Sequence, residues 1–268
     1  MIILRGKDLK IAYEDKTIIN KLDIDINKGE VYTIVGPNGC GKSTLLKGIS
    51  RCKKLVNGHV YLDSKDINKC NSKEISKSIA ILPQMRNVPG DIKVKTIVGY
   101  GRYPHLGLRN KLEEEDHKIV RWAMEKTGVL DFQDREIGTL SGGEGQRVFI
   151  AMALAQKTEI LILDEPTTFL DISHQLEVLE LVKDLNEELG ITIVMVLHDL
   201  NLAARYSSRI IVMKQGEVIV EGKPEEVFQE SILNSVFGIH AYISHDHIHD
   251  CPYFIPIDKK NHTFKHNV

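Results

Sequence analysis

Gly36-Pro37-Asn38-Gly39-Cys40-Gly41-Lys42-Ser43-Thr44, GPNGCGKST, sits directly behind an apolar run, Val31-Tyr32-Thr33-Ile34-Val35. The pattern reads as strand, glycine loop, then a helix over Lys42 to Arg51. Gly36, Gly41, Lys42 and Ser43 meet the spacing G-x4-G-K-[ST]. Glycines let the chain turn so that successive N–H groups point at phosphate oxygens, and the N-terminus of the next helix adds its positive dipole. Lys42 is placed to reach the β- and γ-phosphates of a nucleotide, and Ser43 to put a hydroxyl on Mg2+. All nine residues, Gly36 to Thr44, are candidates for the phosphate cradle. Alone, the loop says only that a nucleotide binds.

A second stretch, EILILDEPTTFLD from Glu159 to Asp171, runs four apolar residues into two carboxylates. That is a buried strand whose tip delivers acid to the phosphate site. Asp164 is expected in the Mg2+ shell and Glu165 is expected to polarise the attacking water.

The bulk properties restrict the setting. In 268 residues, 35 basic side chains face 37 acidic ones, for a net charge of −2, which argues against a dedicated nucleic-acid binder. The longest apolar runs, such as Ile191 to Leu197, suit buried strands and are too short to span a bilayer. Arg5, Lys7, Asp8 and Lys10 interrupt any apolar secretory leader. Cys40, Cys52, Cys70 and Cys251 have no paired spacing, so reduced cytosolic thiols are expected. Any membrane role is expected to come through a partner.

Short alternating runs over residues 2–35 predict strands, followed by strands at His59 to Leu62 and Ile79 to Leu82. From Val94 to about Ala155 the texture is helical, clearest over Glu113 to Lys126. Strands return at Ile160–Leu163, Ile191–Leu197 and Ile210–Met213, with a helix from about Ser173 to Leu189. The expectation is an α/β core with a helical insertion and a small C-terminal unit.

The third element is LSGGEGQR, Leu140 to Arg147. Ser141 is placed as the N-cap of a helix starting near Glu144, so free N–H groups and a hydroxyl again face an anion. With this element in place between the other two, the chain resembles the ATP-binding subunit of an ABC transporter. Ser141-Gly142-Gly143 matches that family's signature motif, with Glu144 where glutamine is commoner and Gly145 where arginine is often found.

The resemblance implies an α/β fold with a P-loop NTPase core, an antiparallel β subdomain and a helical subdomain. It implies an ABC ATPase domain over 1–238, with the helical subdomain at about 85–157, and a short appendage over 239–268. It implies ATP and Mg2+ as cofactors. Ser141, Gly142, Gly143 and Glu144 would then cap the nucleotide held by a second subunit. Tyr13 stands where an aromatic ring stacks on adenine. Gln84 matches the glutamine that senses Mg2+ and water, and His198 the switch histidine at the γ-phosphate. Asp171 matches a loop that crosses the dimer interface. The catalytic set on this reading is Lys42, Gln84, Glu165 and His198; the metal set is Ser43, Gln84 and Asp164. Implied partners are a second ATPase subunit and polytopic permease subunits, with an extracytoplasmic binding protein acting indirectly. The location implied is the cytoplasmic face of the membrane.

GRYPH, Gly101 to His105, followed by an acidic helix, is similar to the ferric-siderophore importers and to their haem, cobalamin and zinc relatives. A non-transport ABC protein would be expected to carry coiled coils or tandem nucleotide domains, which are absent here. A small-molecule kinase would explain the phosphate loop but not Ser141-Gly142-Gly143. Two local expectations remain. His240, His245, His247, His249 and Cys251 could hold Zn2+, although related chains use this segment as a polar turn between two short strands. Cys40, beside Lys42 and a helix N-terminus, is either a reactive thiolate or a small residue fitted to a tight turn.

Overall fold

In the computed structural model, residues 1–84, 88–107 and 111–257 are described. The chain opens with two long antiparallel strands, β1 (Ile2–Tyr13) and β2 (Lys16–Asn27). β3 (Val31–Val35) is buried along its whole length and feeds the glycine loop and α1 (Lys42–Ile49). β4 (Asn57–Leu62) and the two-residue β5 (Lys65–Asp66) complete a four-stranded antiparallel sheet in the order β2-β1-β4-β5. α2 (Ser72–Ser76) and β6 (Ile79–Leu82) follow.

The helical texture resolves into α3 (Val94–Tyr100), α4 (Glu114–Lys126) and α5 (Gly142–Ala155), which pack on one another. Then come β7 (Ile160–Leu163), α6 (Ile172–Leu189), β8 (Thr192–Val196), α7 (Leu200–Tyr206), β9 (Arg209–Lys214) and β10 (Glu217–Gly222). The described chain closes with α8 (Pro224–Val227), α9 (Glu230–Phe237) and the hairpin β11 (Ala241–Asp246) and β12 (Cys251–Pro256). The hairpin is tied down by Asn201 of α7, whose amide donates to Phe254 O and accepts from Phe254 N at 3.2 and 3.0 Å.

The six-stranded sheet has the order β10-β9-β3-β8-β7-β6, parallel except for the β9–β10 pair. Its parallel strands are mostly apolar because both faces are covered, with Thr33 and Thr192 buried among them. Val31, Val35, Leu161 and Leu163 turn to the layer containing α3 to α7, whereas Tyr32, Ile34, Ile160 and Ile162 turn to the layer shared with α1 and the antiparallel sheet. The alternation matches the two-residue period of a strand. It also sets the functional edge: β3, β8 and β7 are neighbours, and the loops at their C-terminal ends carry Gly36 to Gly41, His198 and Asp164. Open α/β sheets bind ligands at such edges.

The structure differs from the sequence reading in places. α5 begins at Gly142, two residues before the expected start, because Ser141 caps it there. β10 and the helices α7 to α9 form in a region where only one strand was expected. Residue 85, the expected start of the helical subdomain, and residues 258–268 lie outside the described residues, as do 108–110 beyond GRYPH.

Candidate nucleotide site

Gly36 leaves β3 with no room for a side chain: a Cβ there would lie 2.2 Å from Met213 O. Gly41 then takes φ 110° as the N-cap of α1 and offers no capping side chain, so the first N–H groups of the helix stay open to an outside anion. Lys42 is buried and folds its ammonium back onto its own loop, donating to Gly36 O at 2.8 Å and Pro37 O at 3.1 Å. Those carbonyls hold the charge where a phosphate oxygen could take it over. Ser43 Oγ donates to Asp164 Oδ1 at 2.7 Å across the gap between α1 and the tip of β7. Burial pushes the Asp164 carboxyl above its ordinary range, with the Ser43 hydrogen bond opposing. A buried carboxylate and a hydroxyl joined by that bond make a hard-oxygen pair that fits Mg2+, which takes few protein ligands.

Glu165 adopts φ 53°, a left-handed conformation uncommon for glutamate. Both carboxylate oxygens are engaged. His198 Nε2 lies 2.8 Å from Oε1, while Gln84 Nε2 and the Thr168 hydroxyl donate to Oε2 at 2.5 and 2.9 Å. A cavity of about 350 Å3 opens here, lined by Tyr13, Asn38, Lys42, Ser43, Glu165 and His198 among others. The structure thus gathers the phosphate loop, Tyr13, Glu165 and His198 round one space, with Asp164 and Gln84 one hydrogen bond away. The set can bind a triphosphate and hold a carboxylate beside its far end.

Ser141, Gly142, Gly143 and Glu144 do not line that cavity. At the N-terminus of α5, Ser141 Oγ accepts from Glu144 N at 3.3 Å and the Glu144 carboxylate accepts from Ser141 N at 2.7 Å. That backbone hydrogen bond is the main reason the Glu144 carboxyl is held below its usual range. The segment packs against the start of α6: a Cβ on Gly143 would meet the His174 ring at 2.0 Å, and one on Gly142 the Leu170 side chain at 3.3 Å. Asp171 caps α6, accepting from His174 N at 2.9 Å. Phe169 beside it is 97% exposed with φ 66°, and Ile172 is 77% exposed.

Residues 19–168 match the family model described as ABC transporter. The chain belongs to the ABC transporter family. It is 51% identical over 243 residues to the iron(3+)-hydroxamate import ATP-binding protein FhuC of Bacillus subtilis, covering 91% of this chain and 90% of that protein. It is 43% identical over 256 residues to the ferric enterobactin transport ATP-binding protein FepC of Escherichia coli, covering 96% and 94%. Among solved structures it is similar to an inward-facing transporter assigned to the metal-chelate type, at TM-score 0.83 and 26% identity over 97% of this chain and 98% of that one. It is also similar to the dimeric ATP-binding cassette MJ0796 bound to ADP and phosphate, at TM-score 0.72 and 32% identity, covering 82% and 98%. This ABC ATPase hydrolyses ATP as its family does. No helix among its described residues is long and apolar enough to cross a membrane.

Two side readings resolve differently. Cys40 of this ABC ATPase is buried in the layer with Ile19 and Met213, and burial raises its thiol pKa against the opposing pull of Lys42 and backbone N–H groups. The reactive-thiolate expectation is therefore wrong. The Cys40 sulfur packs against Gly36, where an added Cβ would lie 2.8 Å from it. In the tail, His245 pairs with Asp250 at 3.0 Å and His249 with Asp246 at 2.6 Å, and the segment is a turn between β11 and β12. Among the described residues no three of His, Cys, Asp and Glu gather as a metal site. Thr168 was missed by the sequence reading; a hydroxyl three residues after Glu165, in Glu-Pro-Thr-Thr, was the available signal.

Proposed function

We propose that this ATPase subunit powers import of ferric siderophores. It would work as a homodimer on the cytoplasmic face of the membrane, beneath polytopic permease subunits supplied by an extracytoplasmic binding protein. The observation that carries the ATPase part is the Glu165 carboxylate, pinned by Gln84, Thr168 and His198 at the mouth of the phosphate loop. In that position Glu165 accepts a proton from the attacking water, His198 meets the γ-phosphate, and Gln84 reports whether the site is filled. Lys42 exchanges its loop carbonyls for β- and γ-phosphate oxygens, and Tyr13 stacks on adenine. Gly36, Pro37, Asn38, Gly39, Cys40, Gly41 and Thr44 shape the cradle. Ser43, Asp164 and Gln84 would hold Mg2+, which would supply neutralisation of phosphate charge.

The second copy follows from what one copy lacks. Ser141 to Glu144 are built like an anion site yet lie away from the cavity, and the apolar Phe169 and Ile172 beside them face solvent. A partner in head-to-tail orientation would bring its phosphate loop to this surface. We assign residues 1–238 to the ATPase domain, with the helical subdomain at about 85–157, and 239–268 to an appendage. The iron-chelate cargo rests on the relatives, two of which are named for different ferric siderophores. The test is uptake of radiolabelled ferric hydroxamate, ferric catecholate, haem, cobalamin and zinc by cells with the gene deleted and restored. Loss and recovery of a ferric siderophore alone supports the assignment; loss confined to haem, cobalamin or zinc rejects it.

A further inference from the structure

The ring of Tyr13 has a cation over one face. That cation is the Lys53 ammonium, 4.1 Å from the ring centroid. Tyr13 also borders the cavity above the phosphate loop, whereas Lys53 is not part of that lining. The cation covers one face of the ring from outside the cavity lining. Tyr13 is 39% exposed at the end of the β1–β2 hairpin, where little packing fixes its rotamer. Lys53 is anchored better: its backbone N–H donates to Lys47 O at 2.8 Å, at the far end of the helix that starts in the phosphate loop. One short helix thus sets the phosphate cradle at its N-terminus and the lysine behind the aromatic ring at its C-terminus.

We propose that Lys53 is a positioning residue for the nucleotide base, holding the Tyr13 ring so that its free face is presented to adenine. The inference rests on the reading of Tyr13 as the base platform. An ammonium over a ring face is attracted by the ring quadrupole and fixes its plane. The opposite face stays available for offset stacking. A ring already held in place loses less rotamer freedom when the base arrives, which favours binding without a direct contact between Lys53 and the ligand. Such a residue sharpens recognition of the base and leaves recognition of the phosphates alone.

Calorimetric titration of the full chain with magnesium-free ATP and with inorganic tripolyphosphate separates the two. Lys53→Met, which keeps the stem and removes the charge, should weaken ATP about two- to five-fold, the range of an exposed cation–ring contact, and leave tripolyphosphate unchanged. Lys53→Arg should restore ATP affinity. In a Tyr13→Ala background, Lys53→Met should have no further effect. Equal weakening of both ligands would make Lys53 a simple charge near the phosphates and overturn the proposal. So would full ATP affinity in Lys53→Met when Tyr13→Ala has lost it. If Tyr13→Ala itself binds ATP normally, the platform reading fails first and takes the role of Lys53 with it.

Discussion

Two helices of this protein begin behind glycines and offer N–H groups to an anion, and they are finished differently. α1 starts at Gly41 with no side-chain cap, and round its mouth stand Lys42, Ser43, Asp164, Glu165 and His198. α5 is capped by Ser141 in a closed capping box: Ser141 Oγ accepts from Glu144 N, and the Glu144 carboxylate accepts from the N–H of the cap residue itself. The first is open and surrounded by chemistry. The second has one N–H of its first turn, Glu144 N, closed by the Ser141 hydroxyl and lies away from the cavity, so it can serve a phosphate only where another body brings one.

Changes on the two sides should separate accordingly. The largest effect belongs to the α1 side: Glu165→Gln should lower ATP hydrolysis about a hundredfold or more while ATP binding survives, since a positioned base contributes that much. Steady-state phosphate release with a parallel binding titration reads both; near-normal turnover would remove Glu165 from the chemistry. Next comes Gly143→Ala on the α5 side. The new methyl meets the His174 ring, so the chain should lose about 1–3 kcal/mol in urea unfolding as α5 and α6 shift apart.

Asp164→Asn should separate stability from function at the α1 site. Because burial raises the folded-state carboxyl pKa above its unfolded value, this group favours folding at low pH and loses that contribution as pH rises through the folded value. The variant should therefore raise the neutral-pH melting midpoint of the nucleotide-free chain by about 2–4 °C, the response to roughly 1 kcal/mol at this size, while hydrolysis falls. An unchanged midpoint across pH 4 to 8 would mean that Asp164 is not strained by its burial. The smallest effect is at Gly145, whose nearest neighbour, Ile137 Cδ1, would be 4.0 Å from an added Cβ. Gly145→Ala should stabilise by up to about 1 kcal/mol in the same urea assay, opposite in sign to Gly143→Ala two residues away.

What the sequence disclosed followed from local rules. Ile79–Leu82 and Ile160–Leu163 are legible to the residue because each is a short apolar run cut off sharply and buried on both faces. The phosphate loop is legible because its function requires a fixed spacing of glycines, lysine and hydroxyl. The N-cap of α5 was legible at Ser141, while the poor helix propensity of Gly142 and Gly143 put the expected first turn near Glu144, two residues late. α2 carries the same kind of signal in Asn71 and Glu74 and is too short for a periodic pattern. Cys40 was misread for a different reason: its neighbours in sequence are a lysine and a helix start, while its neighbours in space are apolar. The Lys53–Tyr13 contact joins elements forty residues apart and has no linear signature.

The claim that α5 serves a second copy is tested most directly by the mass of the chain in solution. Carrying Glu165→Gln so that ATP persists, the protein should pass from one copy to two when ATP is added, followed by light scattering behind a sizing column. Adding Ser141→Arg should abolish that shift while ATP binding to the single copy stays within about twofold, because the arginine would block only the partner's phosphate site. Contradiction would take either of two forms: an ATP-induced dimer that survives Ser141→Arg, or a single copy that loses ATP when Ser141 is changed.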